Sequence, residues 1–157
     1  MFSLLLKWFV GVFTLLLLIA TLNSYWLEHS PDEARFLAGT IPKPLPNGFY
    51  NGHLAVPNPV WLGKKFDYDT DTGTNVFKSA AGLSNEGFGF ITYAGKGIRD
   101  TTLDVLKIDY STPDNPFWLS PVLDEIVQVD DDHYLGKLFI KFLPGHPFTV
   151  AFFELTR

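Results

Sequence analysis

The sequence predicts an all-β domain, folded as a small antiparallel up-and-down β-barrel and preceded by one N-terminal transmembrane helix. Residues 2–26 form an apolar run in which Lys7 is the single charge. From Gly48 onward, apolar residues recur with a period near two, and Gly, Pro, Asn and Asp fill the gaps. The pattern amounts to about seven or eight short strands, and closing them into a barrel removes the exposed sheet edges.

The apolar run is long enough to cross a bilayer. As a helix, the segment from Trp8 to Trp26 spans about 28 Å, close to the hydrocarbon thickness of a membrane. We therefore predict a transmembrane anchor over residues 1–27. A cleaved signal peptide is the alternative, although the small residues that such a cleavage site requires are scarce near Ala20.

The charges on either side of this run predict its orientation. Lys7 precedes the run. The acidic residues Glu28, Asp32 and Glu33 follow it, and the first basic residue after them is Arg35. The positive-inside rule places the N-terminus in the cytoplasm and the C-terminal domain outside it, in the periplasm if the cell is a Gram-negative bacterium.

Between the anchor and the barrel, we interpret residues 28–47 as a proline-containing stalk. The alternating prolines of residues 42–46 exclude a helix and favour an extended chain. One short helix is expected over Pro31–Ala38, with Ser30 as its N-cap. The barrel domain then occupies residues 48–157.

The strands are clearest in the second half of the barrel domain. The sequence of Thr101–Tyr110 alternates between two faces and ends at the turn-forming residues 111–116. Short polar turns join three further strands into an antiparallel meander, and these strands start at Asp124, Tyr134 and Phe148. Turn-rich segments at 67–73 and 80–87 separate the upstream candidate strands, which have the sequences GFYNGHLAV, WLGKKFDY and FGFITYA.

Composition narrows the classes of function. The net charge is −5 and the basic residues are not clustered, which disfavours nucleic acid binding. The absence of cysteine excludes disulfides, thiolate nucleophiles and cysteine-ligated zinc. Residues 67–73, DYDTDTG, depart from a calcium loop because Lys78 replaces the bidentate Glu, and a solvated turn explains them. We therefore expect no metal, no cofactor and no nucleic acid partner.

Two segments resemble a known superfamily. Gly48, Tyr50 and Gly52 in GFYNG resemble the G-x-W-x-G opening of calycin-type barrels, with Tyr50 at the place of the motif's Trp. Residues 61–66, WLGKKF, are similar to the W-x-G-K-x-F segment of the small uncharacterised GXWXG-type domain family. The calycin-like superfamily includes lipocalins and fatty-acid-binding proteins. The resemblance implies an up-and-down barrel with an interior ligand cavity.

Aromatic residues on or near the predicted strands are the candidate ligand-binding residues. Amphipathic rings commonly line apolar pockets while their polar tips orient a ligand, and nearby basic residues supply a cation at the pocket mouth. The candidates are Tyr50, Trp61, Lys64, Phe77, Tyr93, Lys96, Arg99, Trp118 and Tyr134. Core packing explains the rings equally well, and ordinary solvated charge explains the cations.

These patterns support three hypotheses of function. The leading one is a single-pass membrane protein whose barrel binds an apolar or amphipathic small molecule, such as a lipid-like compound. The second is a protein–protein interaction or envelope assembly module without a cavity, suggested by apolar residues on both faces of segments 101–110 and 148–155. The third is a hydrolase or isomerase using Asp104, Asp109 or His53, although no catalytic motif surrounds these residues.

Overall fold

The computed structural model describes residues 2–56 and 58–157. The helices are α1 (Phe2–Leu27) and α2 (Pro31–Ala38), and a short 3-10 helix spans Phe117–Leu119. The strands are β1 (Gly48–Leu54), β2 (Trp61–Asp67), β3 (Thr72–Lys78), β4 (Ser84–Lys96), β5 (Asp104–Asp109), β6 (Val122–Asp130), β7 (His133–Leu143) and β8 (His146–Thr156). The predicted all-β class with one apolar N-terminal helix is confirmed.

The strands close into an antiparallel barrel in chain order, so that β1 pairs with β8 as well as with β2. The predicted up-and-down topology is therefore confirmed. In this topology, successive connections alternate between the two ends of the barrel. We call the end that carries the β1–β2, β3–β4, β5–β6 and β7–β8 connections the α1 end. The end that carries the β2–β3, β4–β5 and β6–β7 connections is called the cleft end.

The barrel interior is filled by an apolar cluster. Its members, among them Tyr50, Phe90 and Ile126, each expose 8% or less of their surface. Leu119 of the 3-10 helix belongs to this cluster, and Leu45 packs against it from the segment that precedes β1. Both ends of the interior are therefore plugged by side chains from outside the sheet.

A second apolar cluster lies on the outer wall beneath α2. Phe36 of α2 is fully buried, and its ring centroid lies 6.2 Å from that of Phe152 on β8. The ammonium group of Lys137, also fully buried, lies 2.8 Å from Glu33 Oε1 and 3.2 Å from Asp100 Oδ2. Burial raises the pKa of Glu33, although the Lys137 ammonium opposes this shift. α2 is therefore held to the wall by apolar contact and by a buried ion pair.

The segment from α2 to β1 also follows the barrel surface. The helix predicted over Pro31–Ala38 is confirmed, and Ser30 Oγ accepts a hydrogen bond from the Glu33 amide at 3.4 Å. Thr40 forms a bridge with Gln128 of β6. Residues 28–47 thus contact the barrel along much of their length, while the domain boundaries at residues 27 and 47 stay a prediction.

α1 docks on β8 at a β-bulge. Leu138 pairs with Ala151 and Phe139 pairs with Thr149, so Val150 is the extra residue and the ladder is interrupted there. Asn23 Nδ2 donates to the carbonyl oxygens of Thr149 at 3.1 Å and Val150 at 3.2 Å. The amide of Thr149 donates to Ser24 Oγ at 3.1 Å. The end of α1 thus pairs with backbone groups that the bulge leaves free of the sheet.

The first half of α1 projects away from the barrel. Leu17 and Thr21 lie beside Leu143 and Phe148 of the β7–β8 hairpin, and residues 4–16 are exposed throughout. The helix therefore passes the hairpin and continues beyond the α1 end. It is long and apolar enough to cross a membrane.

Two segments that the sequence assigns to turns contain strand. The turn predicted at 67–73 is confined to 68–71, and β3 starts at Thr72. β4 starts inside the turn predicted at 80–87. A Cβ on Gly73 would lie 2.5 Å from the Lys65 carbonyl oxygen, so glycine there permits close approach of two strands and does not mark a turn.

Candidate functional site

A polar network crosses the middle of the barrel interior. Lys64 of β2 and Asp124 of β6 expose only 3% and 1% of their side chains, and Nζ lies 2.9 Å from Oδ2. Asn75 of β3 accepts from the Lys64 ammonium at 3.0 Å. The hydroxyl of Tyr110, which directly follows β5, accepts from Lys64 and donates to Asp124 Oδ2 at 2.9 Å. The network joins four segments of the barrel through one buried ammonium.

This network is enclosed by aromatic rings. The Lys64 ammonium lies 5.1 to 5.7 Å from the ring centroids of Trp61, Phe90, Tyr110 and Phe153. Burial lowers the pKa of Lys64 although Asp124 opposes the shift, and burial raises the pKa of Tyr110 well above its ordinary value. The rings thus surround the ammonium on several sides. The network therefore braces the interior, where the calycin resemblance implies a cavity.

An open cleft of about 660 Å³ lies above the interior at the cleft end. Its floor is formed by Tyr50 and Tyr134, which each expose 2% of their surface and have ring centroids 5.2 Å apart. One wall is formed by the proline-containing segment 41–47 and another by Tyr68. Burial and the neighbouring Tyr50 hydroxyl raise the pKa of Tyr134.

The rim of the cleft carries opposite charges. The Tyr50 hydroxyl donates to Asp132 Oδ1 at 3.3 Å, and the Arg157 guanidinium lies 5.2 Å from the Tyr50 ring centroid. Arg157 Nη2 donates to the Asn47 carbonyl oxygen at 2.8 Å, while Nη1 is 3.6 Å from Asp132 Oδ1. Asp132 and Arg157 are more than half exposed, so the charges are available to a solute. The site thus combines an aromatic floor with a polar rim.

The structure brings together some of the predicted site residues and separates others. Tyr50 and Tyr134 form the cleft floor, whereas Trp61 and Lys64 lie in the closed interior. Phe77 and Trp118 lie toward the α1 end and are linked through Phe88, whose ring centroid is 5.6 Å from Phe77 and 5.8 Å from Trp118.

The remaining three predicted residues lie outside the barrel wall. Tyr93 donates to Asp109 at 3.1 Å, Lys96 pairs with Asp104 at 2.8 Å, and Arg99 pairs with Glu28 at 2.6 Å. Ligand binding by any of the nine residues stays a prediction.

Sequence reasoning missed Tyr68, Asp132 and Arg157 as cleft residues and Asp124 as the partner of Lys64. Asp124 could have been found because it shares a strand face with Ile126, which the alternation directs inward. Nothing in the local sequence marks the others, since three separate segments bring them together. Within residues 2–56 and 58–157, no group of three or more His, Asp or Glu residues is arranged to hold a metal.

Similarity to known proteins supports the fold of this chain and does not indicate a family or a function. No family model and no curated protein matches the chain. A protein from Thermomonospora curvata of known crystal structure is similar in fold, with a TM-score of 0.52 and 20% sequence identity. The match covers 76% of this chain and 79% of that one. Together with α1, the closed eight-stranded barrel is of the kind expected for a membrane-anchored barrel domain.

Replacing Lys64 measures how much the buried ion pair with Asp124 contributes to the free energy of unfolding. We expect Lys64→Met to lower the free energy of unfolding by about 3 to 5 kcal/mol because it leaves the Asp124 carboxylate unpaired. The double variant Lys64→Met/Asp124→Leu should recover most of this loss. Lys65→Met removes an exposed pair with Glu86 and should cost less than about 1 kcal/mol. Urea denaturation in detergent measures all three, and a double variant no more stable than Lys64→Met would contradict this account.

The buried tyrosines predict a loss of stability in alkali. Tyr110 and Tyr134 hold their protons in the folded chain, whereas unfolded tyrosine ionises near pH 10, so the unfolded state releases protons first. The lowered pKa of Lys64 acts in the opposite direction up to about pH 10.4, the ordinary lysine value. We therefore expect the free energy of unfolding to fall above that pH, by up to about 1.4 kcal/mol per pH unit for each tyrosine.

Tyr134→Phe tests this expectation. The pH slope of the urea midpoint, measured above pH 10.5, should be shallower in this variant, since about one titrating group has been removed. Tyr68→Phe, which removes an exposed hydroxyl from the same cleft, is the matched control. Equal slopes for the wild-type chain and Tyr134→Phe would show that Tyr134 does not contribute.

Proposed function

We propose that this protein is a membrane-anchored barrel that binds an amphipathic small molecule in the cleft, on the non-cytoplasmic side of the membrane. The observation that carries the proposal is the cleft floor of Tyr50 and Tyr134 beneath the Arg157 guanidinium. A volume of about 660 Å³ lies within the range of small-molecule sites, about 300 to 1,000 Å³.

The lining of the cleft favours an amphipathic ligand over a purely apolar one. Ile41 and Leu45 offer apolar surface along one wall. The exposed Asp132 carboxylate and Arg157 guanidinium lie 3.6 Å apart, so a polar group can pair with either charge at the rim. A ligand with an apolar body and a polar or charged head group matches both surfaces.

The docking of α1 supports a retained anchor over a cleaved signal peptide. Cleavage between residues 20 and 25 would separate or remove Asn23 and Ser24, which pair with backbone groups of Thr149 and Val150. Ser24 is itself buried. Unpaired buried backbone groups are costly, so the barrel is more stable when α1 stays attached.

The hypothesis of an interaction module was suggested by apolar residues on both faces of two predicted strands. In segment 148–155, Phe152 is buried beneath α2 and Phe153 is buried in the barrel interior. For the enzyme hypothesis, Asp104 and Asp109 lie in separate contacts on the outer wall with Lys96 and Tyr93. These contacts favour neither an interaction module nor a hydrolase or isomerase.

Native mass spectrometry of the full chain, extracted in mild detergent from its own cells, tests both parts of the proposal. The chain mass should include residues 1–27, and a fraction of the protein should retain one small molecule of additional mass. Arg157→Gln and Tyr68→Ala should each reduce the retained fraction at least about tenfold, the change expected from losing about 1.4 kcal/mol of binding free energy.

Matched controls come from the outer wall. Tyr93→Phe and Lys96→Gln change residues of the same types outside the cleft, and both should retain the additional mass. Equal retention in all four variants would place the ligand elsewhere, for example along α1. A chain that starts after residue 20 would contradict the anchor, and a chain that retains no additional mass would contradict ligand binding.

A further inference from the structure

The connections at the two ends of the barrel have opposite chemistry. Residues 55–56, 58–60, 79–83, 110–121 and 144–145 form the α1 end, and Asp114 is the charged residue in their sequence. At the cleft end, the β2–β3 and β6–β7 connections carry Asp69, Asp71, Asp131 and Asp132, and the β4–β5 connection carries Arg99 and Asp100. One end of the barrel is thus nearly free of charge while the other is acidic.

The α1 end also exposes large apolar side chains. Phe117 is 88% exposed and Leu83 is 70% exposed, although both belong to short connections. Val56, Trp118 and Phe142 are exposed at the same end. Apolar residues grouped on one surface of a folded domain mark a contact with a protein or a membrane.

The length of α1 determines where this end lies. Leu17 already lies beside Leu143 of the β7–β8 hairpin, so the part that extends beyond the barrel is Phe2–Leu16. A helix of that length spans about 22 Å, less than the roughly 30 Å hydrocarbon core of a bilayer. Because this part is shorter than the hydrocarbon core, the helix crosses only when the α1 end of the barrel lies at or within the outer boundary of the hydrocarbon.

We propose that the α1 end of the barrel is a membrane-contact surface, with the side chains of Leu83, Phe117 and Trp118 in the outer interface of the bilayer. A lipid surface explains these exposed apolar residues better than a second protein does, because the membrane-spanning helix projects from the same end of the barrel. Trp118 has the amphipathic ring that favours the interface. The inference rests on anchoring by α1 and is independent of any ligand in the cleft.

Site-directed spin labelling of the full chain tests this proposal, because the sequence has no native cysteine. Leu83→Cys and Phe117→Cys place a nitroxide at the α1 end, and Asp69→Cys and Asp131→Cys are the matched controls at the cleft end. Each variant is reconstituted in phosphatidylcholine vesicles with phosphatidylglycerol as the minor lipid. Power-saturation spectra then compare collisions with oxygen, which enters lipid, and with a nickel chelate, which stays in water.

The proposal requires opposite results at the two ends. Labels at positions 83 and 117 should collide more with oxygen than with the nickel chelate, and labels at 69 and 131 should show the reverse order. Strong nickel collision at all four positions would show that the barrel stands clear of the bilayer. Spin–spin broadening at 83 and 117 that disappears on dilution with unlabelled protein would assign this surface to a second copy and overturn the proposal. Retention of a small molecule in native mass spectrometry is unaffected by any of these outcomes.

Discussion

The docking of α1 on the bulge of β8 is the contact that the rest of the arrangement depends on. Glu28, one residue beyond the helix, accepts from Thr149 Oγ1 at 2.8 Å and pairs with Arg99 at 2.6 Å. Burial raises the pKa of Glu28, but the hydrogen bonds from Arg99 and Thr149 outweigh it and lower that pKa. A charged clamp therefore follows the hydrogen bonds of Asn23 and Ser24. The barrel is thus attached to the helix at β8, with the α1 end on the side from which the first half of α1 projects.

Two buried ammonium groups hold the remaining parts together, one on each side of the same sheet. Lys64 joins the strands from within, and Lys137 joins α2 and the β4–β5 connection to the outer wall through Glu33 and Asp100. Such pairs gain little net stability over an apolar core but strongly disfavour arrangements that leave one partner alone. The pair of Lys137 with Glu33 fixes the position of the segment between the anchor and the barrel, which also forms one wall of the cleft.

Local patterns predicted the elements that depend on local physics. The N-cap at Ser30 and the two-faced pattern of Thr101–Tyr110 involve neighbours in sequence. The N-cap is confirmed, and the pattern holds within the shorter strand β5, Asp104–Asp109, where Leu106 and Ile108 lie in the barrel interior and Val105 lies on the outer wall. Strand β3 was missed because Gly73 permits close contact with the Lys65 backbone of β2 and the Phe90 ring of β4, a role that the sequence cannot distinguish from a turn. The cleft was predicted only in part, because some of its residues are brought together by contacts that are distant in sequence. Tyr50 lies in a recognisable strand, but its position opposite Arg157 depends on closure between β1 and β8, a register set by all the intervening strands.

The filled interior limits what the barrel does between its two ends. Leu119 and Leu45 close the ends, and the Lys64 network with its rings occupies the middle, so a ligand has no route through the barrel. The cleft is therefore separated from the α1 end. The ligand binding and the membrane contact that we propose do not depend on each other. The filled interior keeps the two ends of the barrel separate, whereas a hollow barrel would connect them.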